Sequence, residues 1–388
     1  MGVSRAGFEH LAVVERDHDS CETIRENQRR WLMPVAKWPL YEMDVRAFDY
    51  ADAGLVAEGE VDLLAGGPPC QPFSLGGKHK GHQDERDMFP EVVRAVRELK
   101  PQAILIENVK GLMRESFTTY FEYIRLQLSY PDISRHDDET WMDHRARLEQ
   151  HHTAGKSMGL MYRVVCQLLN AANYGVPQRR ERVIIVGFRE DVGAEWSFLL
   201  PTHSQDALLV DQWVTGEYWD RHKVASSERP DLPERMRTRV QQLRGGVLPI
   251  VGMPWRTVRD TIGDLPDPTA RDWSSEVPNH WLNPGARSYP GHTGSAYDEP
   301  AKTLKAGDHG VPGGENTLAY RDGSLRYFTV RESARMQTFP DEYVFHGSWT
   351  ESMRQLGNAV PVTLAHTVAG GIAQVLTDLP RSVSRSAR

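Results

Sequence analysis

The sequence predicts an α/β protein: short buried strands present polar groups at their carboxyl ends, and a smaller, loop-rich unit follows. Apolar runs at residues 11–14, 61–65, 103–106 and 183–188 have the length of buried strands and are separated by helix-like stretches. Three of these runs finish on a chemically pointed feature, namely Glu15, Glu107-Asn108, and the turn Gly66-Gly67-Pro68-Pro69-Cys70. Ligands of open α/β sheets bind beyond the carboxyl ends of the strands. From about Ala194 to Leu325 prolines, glycines and tryptophans become frequent and hydrophobic periodicity fades, which marks a domain boundary.

With 388 residues, 39% hydrophobic and 26% charged, the chain can bury one large core and a smaller one. It has no run of about 18 apolar residues, which excludes a membrane span, and its first seven residues lack the pattern of a secretory signal. Cys21, Cys70 and Cys166 are too few and too scattered for a disulfide framework or a zinc site. A reducing, cytoplasmic location follows, with Cys70 a free thiol. The net charge of −7 does not point to nucleic acid, but its distribution does. Between Arg221 and Arg259 nine Arg and Lys face three acids, a local +6, and such a stripe suits a polyanion.

Taken in order, the first strand closes on Glu15, and a helix runs from Asp17 to Arg29. A carboxylate at a strand tip is the group that binds ribose hydroxyls in nucleotide-type folds. Glu42-Met43-Asp44-Val45 follows the next strand position. The strand at 61–65 then stops in Gly66-Gly67-Pro68-Pro69, where glycine allows the bend and proline stiffens it. Packing alone asks for none of these four residues, so Cys70 reads as a nucleophile rather than a small buried hydrophobe. Residues 76–87 are rich in glycine and charge, which predicts a mobile loop that closes over substrate.

Met88-Phe89-Pro90-Glu91 opens an amphipathic helix that Pro101 stops, and the strand at 103–106 delivers Glu107, a candidate acid whose pKa desolvation would raise. Residues 117–156 turn polar and read as a surface insertion, and their histidines lack ligand spacing, so no metal is assigned. After a strand at 162–170 and a turn at 171–177, Gln178-Arg179-Arg180-Glu181-Arg182 leads into the strand at 183–188. Strand alternation places Arg180 and Arg182 on one face. Residues 331–341 form a short helix ended by Pro340, residues 362–376 form a final helix, and 380–388 form a polar tail expected to be disordered.

These stretches, in this order, resemble the cytosine-C5 DNA methyltransferases of bacterial restriction-modification systems. The likeness rests on Gly66-Gly67-Pro68-Pro69-Cys70-Gln71-Pro72-Phe73-Ser74, Glu107-Asn108-Val109, Gln178-Arg179-Arg180-Glu181-Arg182, residues 331–341, and Arg354-Gln355-Leu356-Gly357-Asn358-Ala359-Val360-Pro361, and it spans nearly the whole chain. It implies a Rossmann-like S-adenosylmethionine-dependent methyltransferase domain over 1–193 and a smaller target-recognition domain over 194–350. A C-terminal helix, 351–379, would return to the catalytic domain.

The implied reaction transfers a methyl group from S-adenosylmethionine to C5 of a flipped cytosine in duplex DNA. Cys70 would be the nucleophile, Glu107 would engage N3 and the amino group, and Arg182 would reach O2. Pro69, Gln71, Ser74, Asn108 and Arg180 would contact the base or DNA. Glu15 would hold the cofactor ribose, Arg16 lie against the adenine, Asp44 accept from its amino group and Val45 pack on its ring. Pro68, Met88, Asn358 and Val360 would complete that site. Segments 257–266 and 300–307 resemble those bracketing target recognition, and Asn279, His280, Trp281, Asn283, Arg287 and Tyr289 between them are side chains able to read base edges. The implied partners are double-stranded DNA and a cognate restriction endonuclease, with the enzyme itself a monomer.

One departure stands out. The family opens on a strand and a loop of the form Phe-x-Gly-x-Gly-Gly around the methionine part of the cofactor, whereas this sequence opens on Gly2-Val3-Ser4-Arg5-Ala6-Gly7-Phe8, similar to the helix that follows that loop. Either the start lies upstream of Met1 or the chain is a truncated, non-catalytic DNA-binding relative, and the intact downstream motifs favour the former. An RNA cytosine methyltransferase on the same scaffold is the remaining alternative.

Overall fold

The computed structural model describes residues 1–56, 61–69, 87–155, 159–246, 249–270, 276–287, 293–306 and 314–379. Cys70, Gln71, Ser74, the loop at 76–86, Tyr289 and the tail lie outside them. The chain starts with α1 (Gly2–Arg5), β1 (Val13–Glu15), α2 (His18–Arg29) and β2 (Leu40–Glu42), then β3 (Leu63–Gly66), α3 (Phe89–Leu99) and β4 (Ala103–Val109). It continues through α4 (Thr118–Ser129), α5 (Trp141–Thr153), β5 (Tyr162–Asn170) and β6 (Glu181–Arg189).

The main sheet has the order β3-β4-β6-β5. β3 and β4 are parallel, from Leu63↔Ala103 to Gly66↔Ile106, while β6 runs antiparallel to both β4 and β5. Helices cover both faces, so Ala103, Ile104, Leu105 and Ile106 are all buried, as expected of a continuous apolar run rather than an alternating one. β1 and β2 pair in parallel as a separate two-stranded sheet. Asp17 caps the helix after β1, its carboxylate accepting from the Ser20 amide at 2.9 Å. Among the described residues β1 pairs with β2 and β3 with β4, and the carboxyl ends of β1 and β3 line a common cavity.

The reading of 117–156 as a surface insertion is corrected by α4. Its Tyr120, Phe121, Tyr123, Ile124 and Leu128 are buried with Ile104, Ile106, Val183 and Ile185 of the sheet. The apolar side chains here are aromatic and interleaved with charge, which hides the stripe in a polar average. α5 follows on a capping box between Thr140 and Asp143 and buries Leu148 and His144, the latter bridging the Tyr123 hydroxyl and the Ile133 carbonyl.

The loop-rich part contains β7 (His203–Ser204), α6 (Gln205–Val210), α7 (Glu217–Arg221), α8 (Glu234–Arg244), β8 (Met253–Pro254), α9 (Val258–Ile262), β9 (Ser295–Ala296), β10 (Thr317–Ala319) and β11 (Leu325–Tyr327). The local +6 is largely paired there. Arg221 pairs with Asp211, Arg229 with Asp220, Arg235 with Glu299, Arg239 with Asp206 and Arg259 with Asp298. Most of that charge therefore meets acids from outside the run, and its count overstates the surface field. Asn279 and His280 turn inward, Asn279 to the Phe345 backbone and fully buried His280 to Thr329 and the Pro266 carbonyl.

α10 (Val330–Met336) and α11 (Trp349–Asn358) lead to α12 (Val362–Asp378). The stretch Trp349–Asp378 is apolar enough by composition to cross a membrane, but it is two helices broken before Val362. The second buries Leu364, Val368, Ala369 and Ile372 with Leu105, Ile184 and Val186 of the sheet. Ile124→Ala should cost about 2–5 kcal/mol through the cavity it leaves, whereas Glu122→Ala on the exposed side of α4 should stay within about 0.5 kcal/mol. Urea unfolding of the two variants checks this, and equal small effects would restore the surface reading.

Candidate active site at the strand ends

Three strand ends converge on the cavity. β4 delivers Glu107, the start of β6 delivers Arg182, and the register that sets Val109 opposite Arg182 brings the two side chains together. Arg182 Nε lies 2.6 Å from Glu107 Oε1, and both side chains are at most 14% exposed. Burial lowers the pKa of the Arg182 guanidinium, and the neighbouring Glu107 carboxylate opposes that shift. Arg182 also donates to the Glu181 carbonyl at 2.9 Å.

Asn108 points to the opposite side of β4 and is buried. Its Nδ2 donates to the Pro68 carbonyl at 3.2 Å, and its Oδ1 accepts from the Val109 amide at 2.8 Å. It therefore anchors the turn after β3 at the cavity wall. Gly67 explains why that turn can sit so close: a Cβ there would stand 3.1 Å from Glu107 Oε2. Pro68 and Pro69 line the cavity beside Glu107 and Arg182, and Cys70 is the next residue along the chain.

The same cavity, about 2960 Å³, extends to the ends of β1 and β2. Glu15 accepts from the amides of Arg16 and Asp17, each at 2.7 Å and through the same oxygen. Asp44 is bound by Arg46 through its guanidinium and backbone amide and by Arg16 at 3.3 Å. The Arg46 hydrogen bonds hold the Asp44 carboxyl well below the usual carboxylate range, so it is an ionised acceptor at neutral pH. Val45, Met88, Asn358 and Val360 line the cavity as well. Two carboxylate acceptors beside Val14, Met43 and Val45 suit the hydroxyl and amino donors of an adenosine group.

Arg180 is the exception among the expected site residues. It is fully buried, absent from the cavity wall, and donates to the carbonyls of Leu304, Gly357 and Ala359. β6 starts at Glu181, so strand alternation does not extend back to position 180, and the geometry removes Arg180 from substrate contact. Gln178 and Gly357, which stand in the family-like motifs but take no role from the sequence alone, belong to the same joint. Only long-range backbone approach reveals them, and no local pattern encodes it.

Against known families, residues 1–130 and 141–374 match the C-5 cytosine-specific DNA methylase family. The chain belongs to that family. The unmatched residues 131–140 lie between α4 and α5. Relatives of comparable length include the type II methyltransferases M.PspPI of Psychrobacter sp. (strain TA137), 30% identical over 99% of this chain and 78% of the relative, and M.NgoMIV of Neisseria gonorrhoeae, 30% identical over 97% and 94%. Among solved structures, a prophage-encoded DNA modification methyltransferase from E. coli superposes with a TM-score of 0.58 at 18% identity, covering 97% of this chain and 95% of its own. S. pombe Dnmt2 superposes at 0.52 and 18% identity, over 97% and 94%. These likenesses show the same mixed α/β fold over 97% of the chain.

The chain is accordingly a DNA cytosine-5-methyltransferase, and the family implies use of S-adenosylmethionine. Gly67→Ala should press on the Glu107 carboxylate and lower kcat about tenfold or more, because small displacements of a catalytic group are costly, while leaving the melting temperature within about 2 °C. Steady-state kinetics beside a thermal melt checks this.

Proposed function

We propose that this cavity methylates C5 of a cytosine swung out of duplex DNA, with Cys70 as nucleophile and Glu107 and Arg182 as the groups that bind the ring. The observation that carries the reading is the 2.6 Å approach of Glu107 and Arg182 at the root of the turn that leads into Cys70. C5 of cytosine is too weakly nucleophilic to be methylated directly, but a thiolate adding at C6 makes an enamine with a reactive C5. Glu107, protonating or binding N3, draws charge from the ring during that attack, a role worth about 10²–10⁴-fold. Arg182 neutralises the developing charge at O2, and a cation near the sulfur favours its thiolate.

S-adenosylmethionine supplies the methyl group as an electrophilic sulfonium. A base then takes the C5 proton as Cys70 leaves, which restores the ring. C6 is shielded by stacking in a duplex, so the base must flip into the cavity. At about 2960 Å³ the cavity exceeds the roughly 300–1,000 Å³ of a site for one small ligand, and this supports room for both a cofactor and a base.

On this reading Glu15 and Asp44 bind the ribose and adenine, Arg16 and Val45 flank the ring, and Pro68, Met88, Asn358 and Val360 complete the cofactor end. Pro69, Gln71, Ser74 and Asn108 shape or contact the base end. Lys110 and Lys305, exposed residues lining the same cavity and paired with Glu181 and Glu315, can exchange those partners for phosphates. Residues 1–193 with 351–379 form the catalytic unit, and 194–350 read the DNA. The enzyme works in the cytoplasm as a monomer and protects the site cut by a partner restriction endonuclease.

Methyl transfer from labelled S-adenosylmethionine to duplex DNA tests the assignment. Cys70→Ala should fall to background while still binding DNA, and Glu107→Gln should lose about 10²–10⁴-fold in kcat. Asp44→Ala should instead raise the cofactor KM with kcat little changed, the signature of lost uniform binding. Turnover retained by Cys70→Ala would refute the reading.

A further inference from the structure

The sequence singles out Arg180 as a DNA-contacting cation, yet the structure gives it a different place. Its side chain is fully buried and donates from Nη1 to Leu304 at 3.0 Å and from Nη2 to Gly357 and Ala359 at 2.7 and 3.0 Å. Three carbonyls from two remote segments thus converge on one planar cation, a geometry that a guanidinium fork satisfies and an ammonium does not.

The same joint is stitched from other directions. Gln178 Oε1 accepts from the Leu304 amide at 3.0 Å, the Thr303 hydroxyl donates to the Arg179 carbonyl at 2.7 Å, and the Ala301 carbonyl accepts from the Arg179 amide at 2.8 Å while its own amide donates to the Pro177 carbonyl at 2.9 Å. Gly357 packs against residues 305–306 so tightly that a Cβ there would lie 2.1 Å from the Ala306 nitrogen. Gln337, also fully buried, donates to the Leu356 carbonyl and, at 3.3 Å, to that of Ala359.

Both tethered segments are cavity wall. Thr303, Leu304, Lys305 and Ala306 form one stretch of it, and Gly357, Asn358, Ala359 and Val360 another. Arg182, two residues along from Arg180, belongs to the base-binding pair. We infer that Arg180 is a positioning residue that fixes the wall at 303–306 against the wall at 357–360, so that one side chain touching neither ligand sets the affinity for both DNA and S-adenosylmethionine. The inference rests on the proposed identities of the two ends of the cavity.

The test is a pair of dissociation constants, for labelled S-adenosylmethionine and for a duplex DNA carrying the methylated site, measured on the full-length wild type, Arg180→Lys and Gly357→Ala. Lysine keeps the charge but cannot span the three carbonyls, so both constants should rise about tenfold in Arg180→Lys. Gly357→Ala opens the same joint from the opposite side and should weaken both ligands together without removing any cation. A shift confined to DNA with a shallower salt dependence would mean that Arg180 meets phosphate and would overturn the inference. So would a lowered melting temperature with both constants unchanged in the folded fraction. Wild-type protein that binds neither ligand would instead sink the catalytic reading.

Discussion

The catalytic end of this molecule depends on the antiparallel pairing of β4 with β6. That pairing sets Val109 opposite Arg182 and so closes the Glu107 carboxylate onto the Arg182 guanidinium at 2.6 Å. A buried ion pair is a poor source of stability, because desolving two charges offsets most of their attraction. Its place at a strand end beside an open cavity fits the proposed chemistry, in which it would present one acceptor or acid and one fixed cation to a planar ring. The Gly67 approach to Glu107 and the Asn108 bond to the Pro68 carbonyl bring the turn after β3 to the same spot, so sheet register and one side-chain hydrogen bond together place the three segments.

The cavity walls have a more distributed origin. β1 and β2 supply Glu15 and Asp44, whose carboxylates are held by neighbouring amides and by Arg46, while residues 303–306 and 357–360 arrive from the far end of the chain. Their placement depends on polar groups at the lead-in to β6, chiefly Gln178 and Arg180, and on the absence of a side chain at Gly357. Burying the Arg180 guanidinium is costly: desolvation by burial and then repulsion from Arg182 pull its pKa down to about 9, with Glu107 opposing them. Three carbonyl acceptors on Nη1 and Nη2 offset part of that cost, while Nε is buried without a partner among the described residues.

Much of the architecture is legible in the sequence because its signals are local. Apolar runs gave the strands at 103–106 and 183–188, Asp17 marked a helix start, and the Gly-Gly-Pro-Pro turn announced a stiff strand end. Position 107 stood out because a carboxylate terminates a fully apolar run. What the sequence hid is non-local. α4 alternates buried aromatics with charge, so its average polarity masks a face packed on Ile104 and Ile185. The basic run at 221–259 finds acids at 206, 211, 298 and 299, which no window on the run itself contains. Arg180 looks like Arg182 in a list of residues and differs only because distant carbonyls surround it.

The account turns on a covalent bond between Cys70 and the target base, formed within reach of Glu107 and Arg182. The most direct measurement is the intact mass of the protein after incubation with S-adenosylmethionine and a duplex in which the target cytosine carries fluorine at C5. Fluorine cannot leave as the C5 proton does, so the account predicts a stable protein–DNA adduct that maps to Cys70 and is missing in Cys70→Ala. Free protein alone after full exposure, or an adduct that maps to another residue, would contradict it.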